Sequence, residues 1–221
     1  MLVKTFSAAV QGVNAFKITI EVNAGGIVPF SSNPYHMVGL PDNAVKEGFR
    51  RIESAVKNSG YKFQRMKLIV NLAPADIKKQ GSAYDLPIAI GCLAAMKQME
   101  PTLLSQYLII GELSLDGSLC PIKGALPMAI LARQKGYKGI ILPAKNAKEA
   151  AIVNNLEVLG ISHLNEAIDF LNGTLNIEPT SIDTRTLFQF KEDEINVDFS
   201  DVKGQENIKR ALEIAAAGGH N

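Results

Sequence analysis

The stretch from Leu86 to Met96, Leu-Pro-Ile-Ala-Ile-Gly-Cys-Leu-Ala-Ala-Met, is apolar on nearly every face. A helix without a polar stripe belongs in the middle of a core. It is too short to cross a bilayer, which takes about 20 residues. Pro87 fixes where it starts. With Asp85 as N-cap, the proline falls in the first turn, where its missing N–H leaves no bond unmade. A start at Ser82 would place it deeper and lose a hydrogen bond.

The surrounding sequence supplies strands and helices by turns. Val3 to Val10 and Phe16 to Val22 alternate as two strands around a Gly12-Val13-Asn14 turn. Asn23 to Gly26 reads as a loop and Tyr35 to Leu40 as a third short strand. Asp42 caps a helix in which Val45, Phe49, Ile52 and Val56 recur at helical spacing, and Asn58-Ser59-Gly60 ends it. Met66 to Leu72 is a strand, followed by a polar loop from Ala73 to Ser82. Asp116-Gly117 predicts a hairpin joining Tyr107–Leu115 to Ser118–Ile122. A helix over Ala125–Lys135 carries Pro127 in its first turn and stops at Gly136. Gly139–Leu142 reads as strand, Ala147–Val153 as helix, Glu157–Ile161 as strand and Glu166–Leu171 as a last helix, closed by Asn172-Gly173. The fold class is α+β, a mixed sheet with packed helices, over residues 1–173; 174–197 reads as a linker and 198–221 as a separate segment.

Composition removes several function classes. Net charge is +1, so no global field favours nucleic acid or membrane. Cys92 and Cys120 sit in apolar surroundings and read as packing residues, and three scattered histidines make no zinc-like cluster. Met-Leu-Val-Lys-Thr-Phe is no signal peptide, so the expectation is a cytoplasmic protein without a membrane partner. The balanced total hides a local asymmetry. Lys46 to Lys67 holds seven bases and two acids, whereas Glu178 to Asp201 holds seven acids and two bases.

Four ordered strings carry a family resemblance: Val38-Gly-Leu-Pro-Asp42 with Ala44-Val-Lys-Glu47; Asn71 to Asp76 with Gly81 to Gly91; Gly111 to Gly117 with Pro121-Ile-Lys-Gly124; and Gly204-Gln205 through Gly218-Gly-His-Asn221. Together these resemble the magnesium-chelatase-like AAA+ ATPases of bacteria, the ComM/YifB group. The resemblance implies a ribosomal-S5-domain-2-like, Lon-type N-terminal domain, then the start of an ATPase module at residues 198–221. It also implies a homohexameric, ATP-driven DNA helicase acting in branch migration and natural transformation. A metal-insertion chelatase subunit is the weaker alternative. Val202, Gly204 and Gln205 match the turn that lies near the nucleotide in such modules. No Gly-Lys pair occurs in the chain, so no phosphate-binding loop of the G-x-x-x-x-G-K-[ST] type exists in it. ATP and Mg²⁺ are therefore expected only for a longer protein, with no cofactor and no metal held by these residues.

The first domain also looks like the proteolytic domain of Lon proteases, whose dyad pairs a serine with a lysine. The serine hydroxyl is a poor nucleophile until a desolvated neutral amine takes its proton. Laid on Gly81-Ser-Ala-Tyr-Asp85, the nucleophile falls on Ala83, or on Ser82 after a one-residue deletion. The lysine position falls on Leu126, and Lys123 lies in the loop before it. The expectation is a Lon-like fold without peptidase activity, with Ser82 bonding local backbone; a peptidase remnant is the alternative. The basic stretch Lys46, Arg50, Arg51, Lys57, Lys62, Arg65 and Lys67 is the candidate contact for single-stranded or branched DNA. Ring assembly is the second role considered.

Overall fold

A computed structural model describes residues 1–29, 34–100, 102–182 and 198–219. They fall into two units, Met1–Ile182 and Asp183–Asn221.

In the first unit β1 (Leu2–Gln11) and β2 (Asn14–Ile27) form an antiparallel hairpin, β4 (Met66–Ala73) pairs antiparallel with β2, and β3 (Tyr35–Val38) runs parallel to β4. The order β1-β2-β4-β3 makes a mixed sheet with β1 and β3 outermost. β2 runs through the glycine pair instead of ending in a loop. A register shift between Ala24 and Ile27 absorbs Gly25-Gly26 as a bulge, which glycine permits at little cost. β3 stops at Val38 because Gly39 and Leu40 turn with positive φ (95° and 55°). A Cβ on Gly39 would overlap the Leu72 backbone, so the chain passes closer to β4 than any other residue allows.

One face of this sheet, led by Ile18, Ile20, Val22, Leu68, Val70 and Leu72, is buried against α1 (Asn43–Asn58) and α2 (Asp85–Ala95). The apolar stripe of α1 is buried as its spacing requires, and Asp42 Oδ1 caps it by accepting from the Val45 N–H at 2.9 Å. Every residue of α2 is buried. It lies so near β2 that a Cβ on Gly91 would come within 2.7 Å of Val22 Cγ2. Its N-cap is Tyr84 and makes no side-chain cap bond. Asp85 is already inside the helix, because its carboxylate is taken by Arg51.

The predicted Tyr107–Leu115 strand is broken. β5 (Tyr107–Ile109) joins β8 (Gly139–Pro143) and β9 (Glu157–Ile161) in an all-parallel sheet, while β6 (Glu112–Leu113) pairs with β7 (Leu119–Cys120). The break falls at Gly111, whose N–H donates to the Ala83 carbonyl and whose carbonyl accepts from Leu86 N–H, both at 2.9 Å. The backbone there bonds to the start of α2 rather than to a strand. The Asp116-Gly117 turn is present. The parallel sheet is covered on both sides, as such sheets are. Leu108, Ile140 and Val158 face α3 (Ala125–Gln134) and α4 (Ala144–Ala150); Ile109, Ile141 and Leu159 face the core shared with α5 (Leu164–Leu171). α4 begins at Ala144, directly after Pro143, and α5 begins at Leu164 because His163 Nδ1 caps it from the Asn165 N–H at 3.2 Å. Histidine is not among the usual caps, which hides this start in the sequence.

The compact unit continues past residue 173. The Thr180 N–H donates to the Val158 carbonyl at 2.8 Å, and Ile177 and Ile182 pack on the two apolar clusters. Residues 183–197 of the expected linker lie outside the described residues. In the second unit Phe199–Asp201 is a short 3-10 turn with a capping box from Asp198 and Asp201. Gly204 and Gln205 are both left-handed (φ 71° and 64°) and lead into α6 (Glu206–Gly218). Among the described residues no helix is long and apolar enough to cross a membrane.

Candidate functional site

The loop that enters α2 forms one wall of a groove of about 390 Å³, which Ser82, Glu112, Lys123, Val10, Ile122 and Met128 help to line. Asp42 fixes this loop, since its Oδ2 accepts from the Gly81 N–H at 3.2 Å while its Oδ1 caps α1. The Ser82 hydroxyl donates to the Glu112 carboxylate. Its partner is thus a side chain from β6 rather than the local backbone expected from sequence. Among the described residues no amine is hydrogen-bonded to Ser82. Lys123 lines the same groove, and its side chain makes no hydrogen bond or ion pair among the described residues. Ala83 also lines it. Leu126 sits in the first turn of α3, packs on the second apolar cluster, and donates its backbone N–H to Glu149 Oε1 at 3.0 Å.

Two buried ionisable side chains, Lys79 and Asp85, bracket in sequence the 80–84 stretch that lines this groove. Lys79 is fully buried, and its amine donates to the Pro74 carbonyl. Burial lowers its pKa, with Asp76 pulling the other way. Asp85 receives Arg51 in a two-pronged pair, Nε to Oδ2 at 2.9 Å and Nη2 to Oδ1 at 3.2 Å, and also accepts from the Leu113 N–H at 3.4 Å. Burial pushes the Asp85 carboxyl up to about 6, against the downward pull of Arg51 and the Leu113 amide. Arg51 is itself raised, first by its hydrogen bond to Asp85. A Cβ on Gly48 would overlap Asp85 Oδ1, so a glycine on α1 makes room for the carboxylate. Sequence alone marks none of Asp85, Glu112 and Lys79 as a site residue, and gives Asp85 only the part of a cap. A buried aspartate two residues before Pro87 in an otherwise apolar run is the available signal.

The basic stretch does not stay together. Arg51 is spent on Asp85, and Lys57 pairs with Glu53 at 2.7 Å. Arg65 Nε donates to the Pro29 carbonyl at 3.3 Å. Lys67 is exposed on β4, alternating with buried Leu68, and so points away from α1. Lys62 is exposed in the turn held by Gln98, which accepts from the Lys62 N–H and donates to its carbonyl. Lys46 and Arg50, one turn apart on α1, flank a second cavity of about 410 Å³ whose other walls are Tyr35, His36, Met37, Phe49 and Glu53. Burial pushes the Tyr35 hydroxyl up to about 12, Glu53 adds to this, and Arg65 opposes it. In the second unit Val202, Gly204 and Gln205 form the turn before α6 and are exposed. Among the described residues no cluster of histidine, cysteine, aspartate and glutamate could hold a metal ion.

Comparison with known proteins gives the class: proteins related to subunit ChlI of magnesium chelatase. Residues 20–146 match the family described as subunit ChlI of Mg-chelatase, and residues 198–221 match magnesium chelatase, subunit ChlI. The chain belongs to this Mg-chelatase-like AAA+ family. It is 43% identical over 216 residues to the uncharacterized protein YifB of Escherichia coli, covering 96% of this chain and 40% of that protein. It is 40% identical over 222 residues to the competence protein ComM of Haemophilus influenzae, covering 98% of this chain and 42% of that protein. Lon protease 2 of Bacillus subtilis is 24% identical over 126 residues, covering 56% of this chain and 22% of the protease. The chain thus spans about 40% of the length of YifB and ComM.

Proposed function

We propose that the first unit is a non-proteolytic, S5-type binding module of a ComM-like AAA+ ATPase, and that it contacts DNA through α1. The observation that carries this reading is the pair Lys46 and Arg50. Both are exposed, neither side chain has a partner among the described residues, and they flank one cavity. Clustered cations of this kind hold phosphates without a sequence motif. The whole protein, in this reading, is a hexameric ATPase and helicase whose ATP and Mg²⁺ are held by residues outside this chain. The turn at Val202, Gly204 and Gln205 supplies no phosphate cradle of its own. The serine–carboxylate contact in the first groove supports binding over hydrolysis, since a dyad needs a neutral amine at the hydroxyl.

The test is DNA binding by the purified chain across a salt series. Affinity falls steeply with salt, and Lys46→Ala with Arg50→Ala flattens the log–log slope by about 2, roughly one for each phosphate no longer neutralised. Lys57→Ala, already paired with Glu53, changes the slope less. Absence of binding at low salt sinks the reading.

A further inference from the structure

We infer that the slot between α1 and β3 takes one unstacked nucleotide of a single-stranded nucleic acid, its base against Tyr35, Met37 and Phe49 and its phosphate between Lys46 and Arg50. This rests on the DNA-contact reading above and specifies the form of the ligand. The slot exists because β3 is the last strand of its sheet among the described residues, so the inward-facing Tyr35 and Met37 have no further strand beside them beneath α1. The space left is about 410 Å³. Sites for small ligands run from about 300 to 1,000 Å³, so one nucleotide fits and a duplex does not.

Its walls are aromatic. The Tyr35 and Phe49 rings lie 4.2 Å apart at 32°, and Phe63 stands edge-on to both at 5.8 Å. A planar base extends such a cluster, as bases do on the ring platforms of single-strand binders. The mouth is cationic. Glu53, the one acid among the lining residues, has its charge offset by Lys57, leaving Lys46 and Arg50 to an anion. A planar ring and an anion on one ligand is the chemistry of a nucleotide. A base leaves a duplex only at an unstacking and unpairing cost of about a few kcal/mol, whereas a single strand splays one out more readily. An acidic peptide matches the cations too, but β3 is four residues long and gives an added strand few main-chain bonds.

The experiment is fluorescence anisotropy with the whole chain and labelled short oligothymidylate, at one low salt concentration. Its comparators are a duplex, an abasic strand of the same length, and a peptide alternating glutamate and phenylalanine. The expected result is that the abasic strand and the duplex each bind about tenfold more weakly than oligothymidylate. Met37→Trp, which fills the slot, removes that preference while leaving salt-dependent duplex binding. The abasic comparison changes only the ligand, so it stands even if that variant fails to fold. Equal binding of the abasic strand or the duplex overturns the inference and leaves phosphate contact intact. No binding of any nucleic acid fails the underlying reading itself. Displacement of the oligomer by the peptide at lower concentration makes the slot a peptide site and also overturns the inference.

Discussion

Replacing Arg51 by alanine tests a half-buried ion pair that joins two helices of the core. Arg51 joins α1 to the first turn of α2 through two bonds to Asp85, whose side chain is 2% exposed against 27% for Arg51. Removing one partner of a buried ion pair costs about 3–5 kcal/mol, because the remaining charge is left desolvated. The quarter exposure of Arg51 lets water replace part of it, so about 2–4 kcal/mol is expected at pH 7.5. That corresponds to a fall in Tm of roughly 4–16 °C for a domain of this size. The cost must also depend on pH. The Asp85 carboxyl is raised in the folded state to about 6 from an ordinary 3.8. A group raised by folding stabilises fully below its unfolded pKa and loses that contribution as pH rises through the folded value. Without Arg51 the carboxyl rises further, and a neutral Asp85 tolerates burial, so the penalty shrinks toward pH 5. The chain has no tryptophan, so urea unfolding is followed by far-UV circular dichroism. The double variant Arg51→Met with Asp85→Leu should lie near the wild type, since an apolar pair of similar volume carries no desolvation cost. An Arg51→Ala protein within 0.5 kcal/mol of wild type (roughly the scatter of surface substitutions), or one whose loss is the same at both pH values, refutes the reasoning.

Three further outcomes follow from the same geometry. Gly48→Ala drives a methyl onto Asp85 Oδ1 and should cost about 1–3 kcal/mol by denaturation, with most of the loss recovered in an Asp85→Ala background. Lys79, lowered by burial, gives stability that is present above its unfolded pKa near 10.5 and fades as pH falls through the folded value. Lys79→Met should abolish the loss of stability that sets in as pH falls below 10.5, whereas a slope unchanged in the variant assigns it to another group. Ser82→Ala and the parent chain should be equally inactive on casein, and any hydrolysis by the parent that the variant lacks would reinstate a peptidase.

Elements whose signal is local were legible in the sequence. The stripe of α1, the Asp42 cap, the all-apolar α2 and the β1–β2 alternation each declare themselves within a few residues. What could not be read depends on distant partners. Nothing in Ile110-Gly111 announces that the strand leaves its ladder there to bond Ala83 and Leu86. Gly25-Gly26 resembles a loop until β4 is seen to continue beside it. The first groove was half legible, since the string around Ser82 located it but Glu112 lies on another element. The fold disperses the basic stretch because helix position, not sequence proximity, decides whether a guanidinium meets water or an aspartate. Arg50 and Arg51 are adjacent in the chain and about 100° apart on the helix.

The stretch from Thr174 to Ile182 has a consequence for how this protein survives cleavage. Thr180 bonds to Val158 on β9, one of the two outer strands of the parallel sheet, and Ile177 and Ile182 lie over apolar side chains. Proteolytic removal of everything after Gly173 would leave α1 to α5 whole but uncover a hydrophobic strand margin, the kind of surface on which chains stack into aggregates.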